Sequence, residues 1–146
     1  MKKTGLTFLL VTLAIVAGYA SVRVQPGVGF PPHTITYRLT SFDSTGSVTR
    51  TSVVIRKVLS DGTWSHTQIN PDGPVIPSKG KMKHMVTSEA VRAELPQHLG
   101  FKYVETRNAS SETWVSPELQ DFLRFVELRE DGSKASVLEA VAITAP

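Results

Sequence analysis

Apolar and polar residues alternate along much of the chain behind residue 33, with the period of two that a strand with one buried face requires. Ile35, Tyr37 and Leu39 alternate with polar residues between positions 34 and 42, which predicts a first strand. A second strand is predicted over 47–60, and it ends at an Asp-Gly turn. These segments indicate a mainly β domain.

Two turns set the expected register of the first three strands. Ser44-Thr45-Gly46 is typical of a three-residue hairpin loop with its glycine in the left-handed conformation, and Asp61-Gly62 is typical of a two-residue turn. The register partners that follow from these turns are Leu39–Thr51, Tyr37–Val53, Ile35–Ile55 and Leu59–Trp64. A shift of one residue would turn every side chain of a strand to the other face.

The middle of the chain predicts further strands around less regular segments. Residues 70–81 contain three prolines and two glycines, which predicts a loop or a ragged sheet edge. Residues 101–106 and 112–116 are predicted strands, joined by a polar turn. Over residues 87–95 a short helix and another hairpin remain open alternatives.

The C-terminal part is predicted to form a hairpin. A helix start and a strand compete over residues 117–126. The Asp-Gly turn at 131–132 is followed by the Val- and Ile-rich segment 134–144, which favours an antiparallel partner just before it. We therefore expect one short turn and then a strand, with Arg124 opposite Glu139. The expected fold is mainly β, a single curved antiparallel sheet resembling a half-barrel, with one or two short helices.

The N-terminal segment has the pattern of an export signal. Lys2 and Lys3 precede an apolar run, and Gly18 and Ala20 are the small residues that a signal peptidase accepts. The chain is accordingly divided into a signal peptide or uncleaved anchor helix (1–20), a Pro/Gly leader (21–32) and a β domain (33–146). We expect a periplasmic or secreted protein, associated with the inner membrane only if the N-terminus is not cleaved.

Charge and cysteine content narrow the function classes. The chain has 16 basic and 13 acidic residues, and removal of Lys2 and Lys3 with the signal leaves 14 basic residues against 13 acidic ones. A nucleic-acid partner is not expected, because Lys and Arg do not cluster in the sequence as such a surface requires. The absence of cysteine excludes disulfides, thiol catalysis and thiolate metal sites.

Candidate chemistry is sparse. Met82 and His84 fall on one side of a predicted strand, and thioether with imidazole suits copper, so these two are the metal candidates. His33, His66 and His98 are scattered and show no metal-ligand spacing. The sequence contains no GxSxG elbow and no carboxylate pair placed for acid and base roles. We expect no catalytic residues and no cofactor, and an enzyme is less expected than a binding protein.

Three segments carry a resemblance to a known group of proteins. VLSDGTW, LGFKYVET and SETWVSPEL occur in this order, followed by a strand, an Asp-Gly turn and a strand that ends in AITAP. This pattern resembles exported bacterial proteins of the acidobacterial type, a domain family without an established activity. The resemblance implies an exported β domain and no particular chemistry. A more distant analogy is the curved half-barrel of periplasmic lipoprotein carriers.

The expected register gathers large apolar side chains on one face of the sheet: Ile35, Tyr37, Leu39, Val53, Ile55, Leu59 and Trp64. We therefore expect a cell-envelope binding or interaction module whose apolar face holds a lipid-like or peptide ligand against Tyr37, Ile55 and Trp64. One alternative is a structural domain that pairs with an envelope protein through its edge strands. Another is an envelope metal-binding protein or hydrolase.

Overall fold

The computed structural model describes residues 30–83 and 95–145, which form ten strands and no helix. No membrane-spanning helix is therefore found within these two ranges. The strands are β1 (His33–Phe42), β2 (Val48–Val58), β3 (Thr63–Ile69), β4 (Ile76–Lys81), β5 (Gln97–His98), β6 (Phe101–Lys102), β7 (Val104–Arg107), β8 (Ser111–Ser116), β9 (Asp121–Leu128) and β10 (Lys134–Thr144). The predicted signal segment and residues 87–94, for which helix and hairpin were alternatives, lie outside the described residues.

Eight strands form one antiparallel sheet in the order β4-β3-β2-β1-β10-β9-β8-β7, and β5 pairs separately with β6. The large sheet is curved and not closed, with β4 and β7 at its edges, so the predicted fold class is confirmed. The expected short helices do not occur in the described parts of the chain. Residues 70–81, predicted as a loop or ragged edge, contain the edge strand β4.

Three hairpin loops have the same construction. In each, the residue before the loop donates its N–H to the residue after it: Asp43 to Ser47, Leu59 to Thr63 and Arg129 to Ser133. Each loop ends in a glycine with φ between 80° and 84°, a conformation that glycine adopts without a steric cost. The left-handed Gly46 was predicted correctly. The two-residue turn predicted at 61–62 was wrong, because Leu59 pairs with Thr63 around a three-residue loop.

A bulge in β2 overturns the predicted pairing of β1 with β2. Phe42 lies opposite Val48, as the predicted loop requires, but Ser41 lies opposite Arg50, which leaves Thr49 as an extra residue. Beyond the bulge every pair is displaced by one position, so that Tyr37 lies opposite Val54 instead of Val53.

The displaced register exchanges the two faces of β2. The inner face, as we call the one with the buried side chains, carries alternate residues of β1 to β3: Ile35, Tyr37, Leu39, Ser52, Val54, Arg56, Val58, Trp64, His66 and Gln68. Val53, Ile55 and Leu59 lie on the outer face and are exposed, contrary to the prediction. The inner face is therefore more polar than the sequence indicated.

The turn between β8 and β9 packs against the inner face. Ser116 accepts hydrogen bonds at its side-chain oxygen from the N–H of Leu119 and at its carbonyl from the N–H of Gln120. Leu119 is thereby buried, and the hydroxyl of Tyr37 donates to the carbonyl of Phe122 at 2.7 Å. The predicted short turn followed by a strand is confirmed, and this segment closes the core over β1 and β2.

The main core cluster consists of Ile35, Tyr37, Leu39, Val54, Val115, Leu119, Phe122, Leu123, Phe125, Leu138 and Ala140. Strand β9 is buried on both faces over most of its length. On its outer side Arg124 lies opposite Glu139, as predicted, and its guanidinium sits over the ring of Trp114 at 4.8 Å. Tyr103 stacks on the same indole, with ring centroids 4.4 Å apart. The region before β7 thus covers the outer side of β8 and β9.

A second apolar cluster lies at the other end of the sheet and depends on a glycine. Trp64 packs there with Val58, Met82 and Phe30. Its indole lies so close to Gly80 that a Cβ at that position would fall 2.6 Å from Cε2 of the ring. Glycine is therefore required at position 80 by the space that the indole occupies.

We expect Gly80→Ala to lower the free energy of unfolding by about 1–3 kcal/mol, because the new methyl group overpacks Trp64. Gly73→Ala is the matched control, since the nearest atom to a Cβ there is 3.5 Å away in a solvent-exposed turn. Urea unfolding of both variants measures the difference. Equal stability of the two variants would contradict the close approach of the indole to β4.

Candidate functional site

A group of buried polar side chains lies on the inner face, where β1, β2 and β3 meet the start of β9. His33 comes from the first position of β1, Arg56 and His66 from directly paired positions of β2 and β3, and Asp121 from the first position of β9. All four residues are at most 7% exposed. This charged centre is the densest set of buried titratable groups among the described residues.

Asp121 is the acceptor at the middle of the charged centre. Its Oδ2 accepts from Nε of Arg56 at 2.7 Å and lies 3.0 Å from Nε2 of His33, while Oδ1 accepts from the backbone N–H of Phe122. Burial by itself raises the pKa of Asp121, but Arg56 and the His33 hydrogen bond outweigh burial and hold the pKa below its ordinary value. The carboxylate is ionised at neutral pH.

Both ring nitrogens of His33 face hydrogen-bond acceptors. Nδ1 lies 2.7 Å from the carbonyl oxygen of Pro31, which can only accept a hydrogen bond. Nε2 faces the ionised carboxylate of Asp121, which also only accepts. The His33 ring thus links the segment before β1 to the start of β9.

Arg56 contacts three further side chains. Its Nη1 donates to Nε2 of His66 at 2.6 Å, its Nη2 donates to the sulfur of Met82 at 2.8 Å, and its guanidinium carbon lies 5.0 Å from the ring centroid of Trp64. Each nitrogen of the buried guanidinium thus donates to one acceptor, and an aromatic ring covers one of its faces.

His66 is neutral in this arrangement. Burial, and next the positive charge of Arg56, lower the pKa of His66 from 6.5 to about 3. Because Nε2 accepts from Arg56, the single proton sits on Nδ1, for which the described residues supply no hydrogen-bond partner. His66 therefore serves as an acceptor for Arg56 at physiological pH.

The polar atoms of the charged centre are mostly hydrogen-bonded to one another. Within the described ranges no group of three His, Cys, Asp or Glu residues is placed to hold a metal ion. The sulfur of Met82, one of the two metal candidates, accepts from Arg56, and the other, His84, lies outside the described residues. The centre ties β1, β2, β3 and β9 together rather than presenting reactive atoms to solvent.

Sequence reasoning missed Arg56 and Asp121 as partners. The predicted register placed Arg56 on the solvent side of β2, and 65 positions separate it from Asp121. One sequence signal could have located Asp121. The turn that begins at Ser116-Pro117 leads directly into β9, whose first residue is Asp121, and so places its carboxylate on the inner face.

The three predicted ligand-binding residues do not share a face. Tyr37 and Trp64 are buried on the inner face at 1% and 6% exposure, whereas Ile55 is 37% exposed on the outer face. A single apolar pocket lined by all three side chains is incompatible with this placement. Binding of a lipid-like ligand at Tyr37 and Trp64 stays a prediction.

The outer face carries the exposed apolar residues. Val53 and Ile69 are direct register partners, Ile55 lies two positions along β2 from Val53, and Val75 lies one step beyond the last pair of β3 with β4. These four residues, which we call the outer patch, are each between 37% and 57% exposed. Contiguous exposed apolar residues are typical of interaction surfaces.

Next to the outer patch, lysines from two strands come together. Lys57 of β2 and Lys79 of β4 both lie opposite Ser65 of β3, on either side of it. They line a cleft of about 240 Å³ together with Leu59, Thr63, Trp64 and Ser65. The sequence showed these lysines as separate groupings 22 positions apart, and the sheet places them in one row.

An open antiparallel sheet with a buried charged centre is the class that these observations define. Parts of the chain are similar in fold to MucB in the MucA/MucB complex of Pseudomonas aeruginosa, with a TM-score of 0.45 and 14% identity over 79% of this chain and 53% of that one. MucB in complex with MucA(peri) also gives 0.45 and 14%, over 80% and 52%. PNGF-II gives 0.35 and 15%, over 80% of this chain and 28% of that one.

The chain spans about half the length of the MucB chains that it matches. No protein-family model matches the chain, and no curated protein matches it. The likeness to these solved structures is a distant one and concerns the fold alone. The predicted analogy with periplasmic carriers was likewise one of fold. The resemblance to exported acidobacterial proteins has no matching family model behind it.

Proposed function

We propose that the chain is an exported interaction module of the cell envelope that binds a partner protein through the outer face of β2 to β4. The observation that carries this proposal is the outer patch. Val53 and Ile69, which form one cross-strand pair, are 41% and 42% exposed, and Ile55 and Val75 extend the same surface. Burial of such a surface by a partner releases ordered water and stabilises a complex.

The inner face supports a binding role less well. Its side chains are engaged within the chain, as the hydrogen bond of Tyr37 to Phe122 and the packing of Trp64 with Met82 indicate. A ligand seated there would have to displace these contacts. The outer patch needs no rearrangement to receive a partner, and it lies beside the sheet edge at β4.

Photo-crosslinking in the native cells tests the proposal. We expect a photoreactive residue at position 55 to give a discrete adduct of higher mass, and the same residue at position 134, which is exposed on β10 away from the patch, to give none. Val53→Thr with Ile69→Thr keeps β-branched side chains but adds polarity, and it should abolish the adduct.

Unfolding curves and circular dichroism of the double variant should match those of the wild type, because both side chains are exposed. Identical adducts from positions 55 and 134, or an adduct that survives the double substitution, would overturn the outer patch as the binding surface.

A further inference from the structure

The basic residues of the sheet are distributed unevenly. Strands β1 to β4 contain six Lys and Arg residues and no Asp or Glu, whereas β7, β9 and β10 each contain both signs. Two of the six are compensated, since Arg56 binds Asp121 and Arg38 lies 3.7 Å from Glu139. Within the described residues neither Lys57 nor Lys79 is part of an ion pair. The cleft between them therefore carries uncompensated positive charge.

At the same corner β4 is the edge of the sheet, and within residues 30–83 and 95–145 no strand pairs with its outer side. Met82 donates its backbone N–H to the carbonyl of Gly62, in register with the pairs of β3 with β4. Since successive residues of a strand point their N–H and C=O groups to opposite sides, those of Lys79 and Lys81 point away from β3. Pro77 lies on the same side, so the N–H that proline lacks is one that the sheet does not use.

Side chains and backbone offer two kinds of contact at this corner. Pro77, Lys79 and Lys81 are exposed, and Lys79 lies in one outer-face row with Ser65 and Lys57. An extended peptide that pairs with β4 would place every second side chain on this face. Acidic side chains with that spacing would face Lys79 and Lys81, which lie two positions apart on β4, while the peptide backbone pairs with the N–H and C=O groups that point away from β3.

We propose that an extended, acidic segment of the partner adds to β4 as a further antiparallel strand, with its alternate carboxylates facing Lys79 and Lys81 and with Lys57 adding positive charge to the same surface. The inference rests on the proposed function and names the chemistry of the partner. A lipid headgroup is a poorer occupant of this corner, because it offers anionic oxygens but no strand to pair with the free edge of β4.

Fluorescence anisotropy with a labelled ten-residue peptide, Glu alternating with Thr, tests this. The purified protein should bind it, and a peptide with Gln in place of Glu should bind about tenfold more weakly, as should the Glu peptide to the variant Lys57→Gln with Lys79→Gln. Lys102→Gln with Lys134→Gln, which removes two lysines remote from the cleft, should bind as the wild type does. Added salt should weaken the binding.

A second pair of variants isolates the backbone contribution. Lys81→Gln and Lys81→Pro both remove a charge outside the cleft lining, but only the proline removes the outward N–H of β4. We expect clearly weaker peptide binding for Lys81→Pro than for Lys81→Gln, with circular dichroism of the two variants alike. Equal binding by these two variants would overturn the strand-addition geometry.

Three further outcomes would overturn the inference: equal binding of the Glu and Gln peptides, unchanged binding by the Lys57/Lys79 variant, or sedimentation with phosphatidylglycerol vesicles in place of peptide binding. None of them affects the adduct expected from position 55. The failure of the acidic-segment proposal is therefore distinguishable from the failure of the outer patch as a binding surface.

Discussion

Replacing Asp121 by Asn is expected to lower the free energy of unfolding by about 3–5 kcal/mol, because it leaves the guanidinium of Arg56 buried without a counter-charge. The carboxylate is fully buried and accepts from Arg56 and His33 through one oxygen. Asparagine keeps the shape of the side chain but loses the charge and turns one acceptor into a donor. Urea unfolding followed by circular dichroism measures the loss.

A solvent-facing ion pair is the control for this effect. Arg107 lies 3.2 Å from Glu112, but the arginine side chain is 68% exposed, so Glu112→Gln should cost less than about 1 kcal/mol. Arg56→Met combined with Asp121→Asn should cost less than the sum of the two single changes, because no buried guanidinium is left without its counter-charge. Strict additivity, or an Asp121→Asn variant as stable as Glu112→Gln, would contradict the charged centre.

The second large effect is a pH dependence that originates in His66. Its pKa is about 3 in the folded chain and 6.5 in the unfolded one, so between these values the unfolded chain binds the additional proton. The contribution of His66 to the free energy of unfolding is then fully present above pH 6.5 and is lost progressively as the pH falls toward 3. Linkage over the first part of this window gives a loss of about 2 kcal/mol between pH 7 and pH 5.

Unfolding of His66→Gln at pH 7, 6 and 5 isolates this term. The glutamine carbonyl can accept from Arg56 but does not titrate, so the loss between pH 7 and pH 5 should shrink by about 2 kcal/mol relative to the wild type. His98→Gln, a part-exposed histidine hydrogen-bonded to the carbonyl of Ala140, should leave the His66 contribution in place. Parallel pH curves for wild type and His66→Gln would show that His66 is not held neutral.

Asp121 acts in a lower pH range. Its pKa lies below 3.8 in the folded chain, so its contribution is present above the unfolded value and is lost only as the pH falls through the folded one. His66 therefore accounts for the loss of stability between pH 6.5 and about 3.8, and Asp121 adds to that loss only at lower pH.

Local patterns determined most of the fold and little of the site. Alternation identified the strands, and glycine after a polar pair identified the loops, because both depend on neighbouring residues. The left-handed Gly46 and the pairing of Arg124 with Glu139 were predicted for this reason. The bulge at Thr49 has no comparable local signal, because the residues around it have a similar mixture of polar and apolar side chains on both faces of β2.

That single undetected residue also hid the candidate site. It moved Arg56 to the inner face and Ile55 to the outer face, which exchanged a predicted apolar groove for a charged centre and an exposed patch. The meeting of Lys57 with Lys79 was likewise beyond sequence reasoning, because it depends on the pairing of both strands with β3. Contacts between distant segments follow from register, and register was the quantity in error.

The two sides of β2 are nearly interchangeable as apolar surfaces, with Val54 and Val58 on one and Val53, Ile55 and Leu59 on the other. A shift of β2 by one position would therefore bury nearly as much apolar surface. Burial of apolar side chains alone discriminates only weakly between the native and the shifted register. The two registers differ in their electrostatics. In the shifted register Arg56 would be exposed to water, and Asp121 would remain buried without its guanidinium partner. The ion pair of Arg56 with Asp121 therefore forms only in the native register of β2 and selects that register.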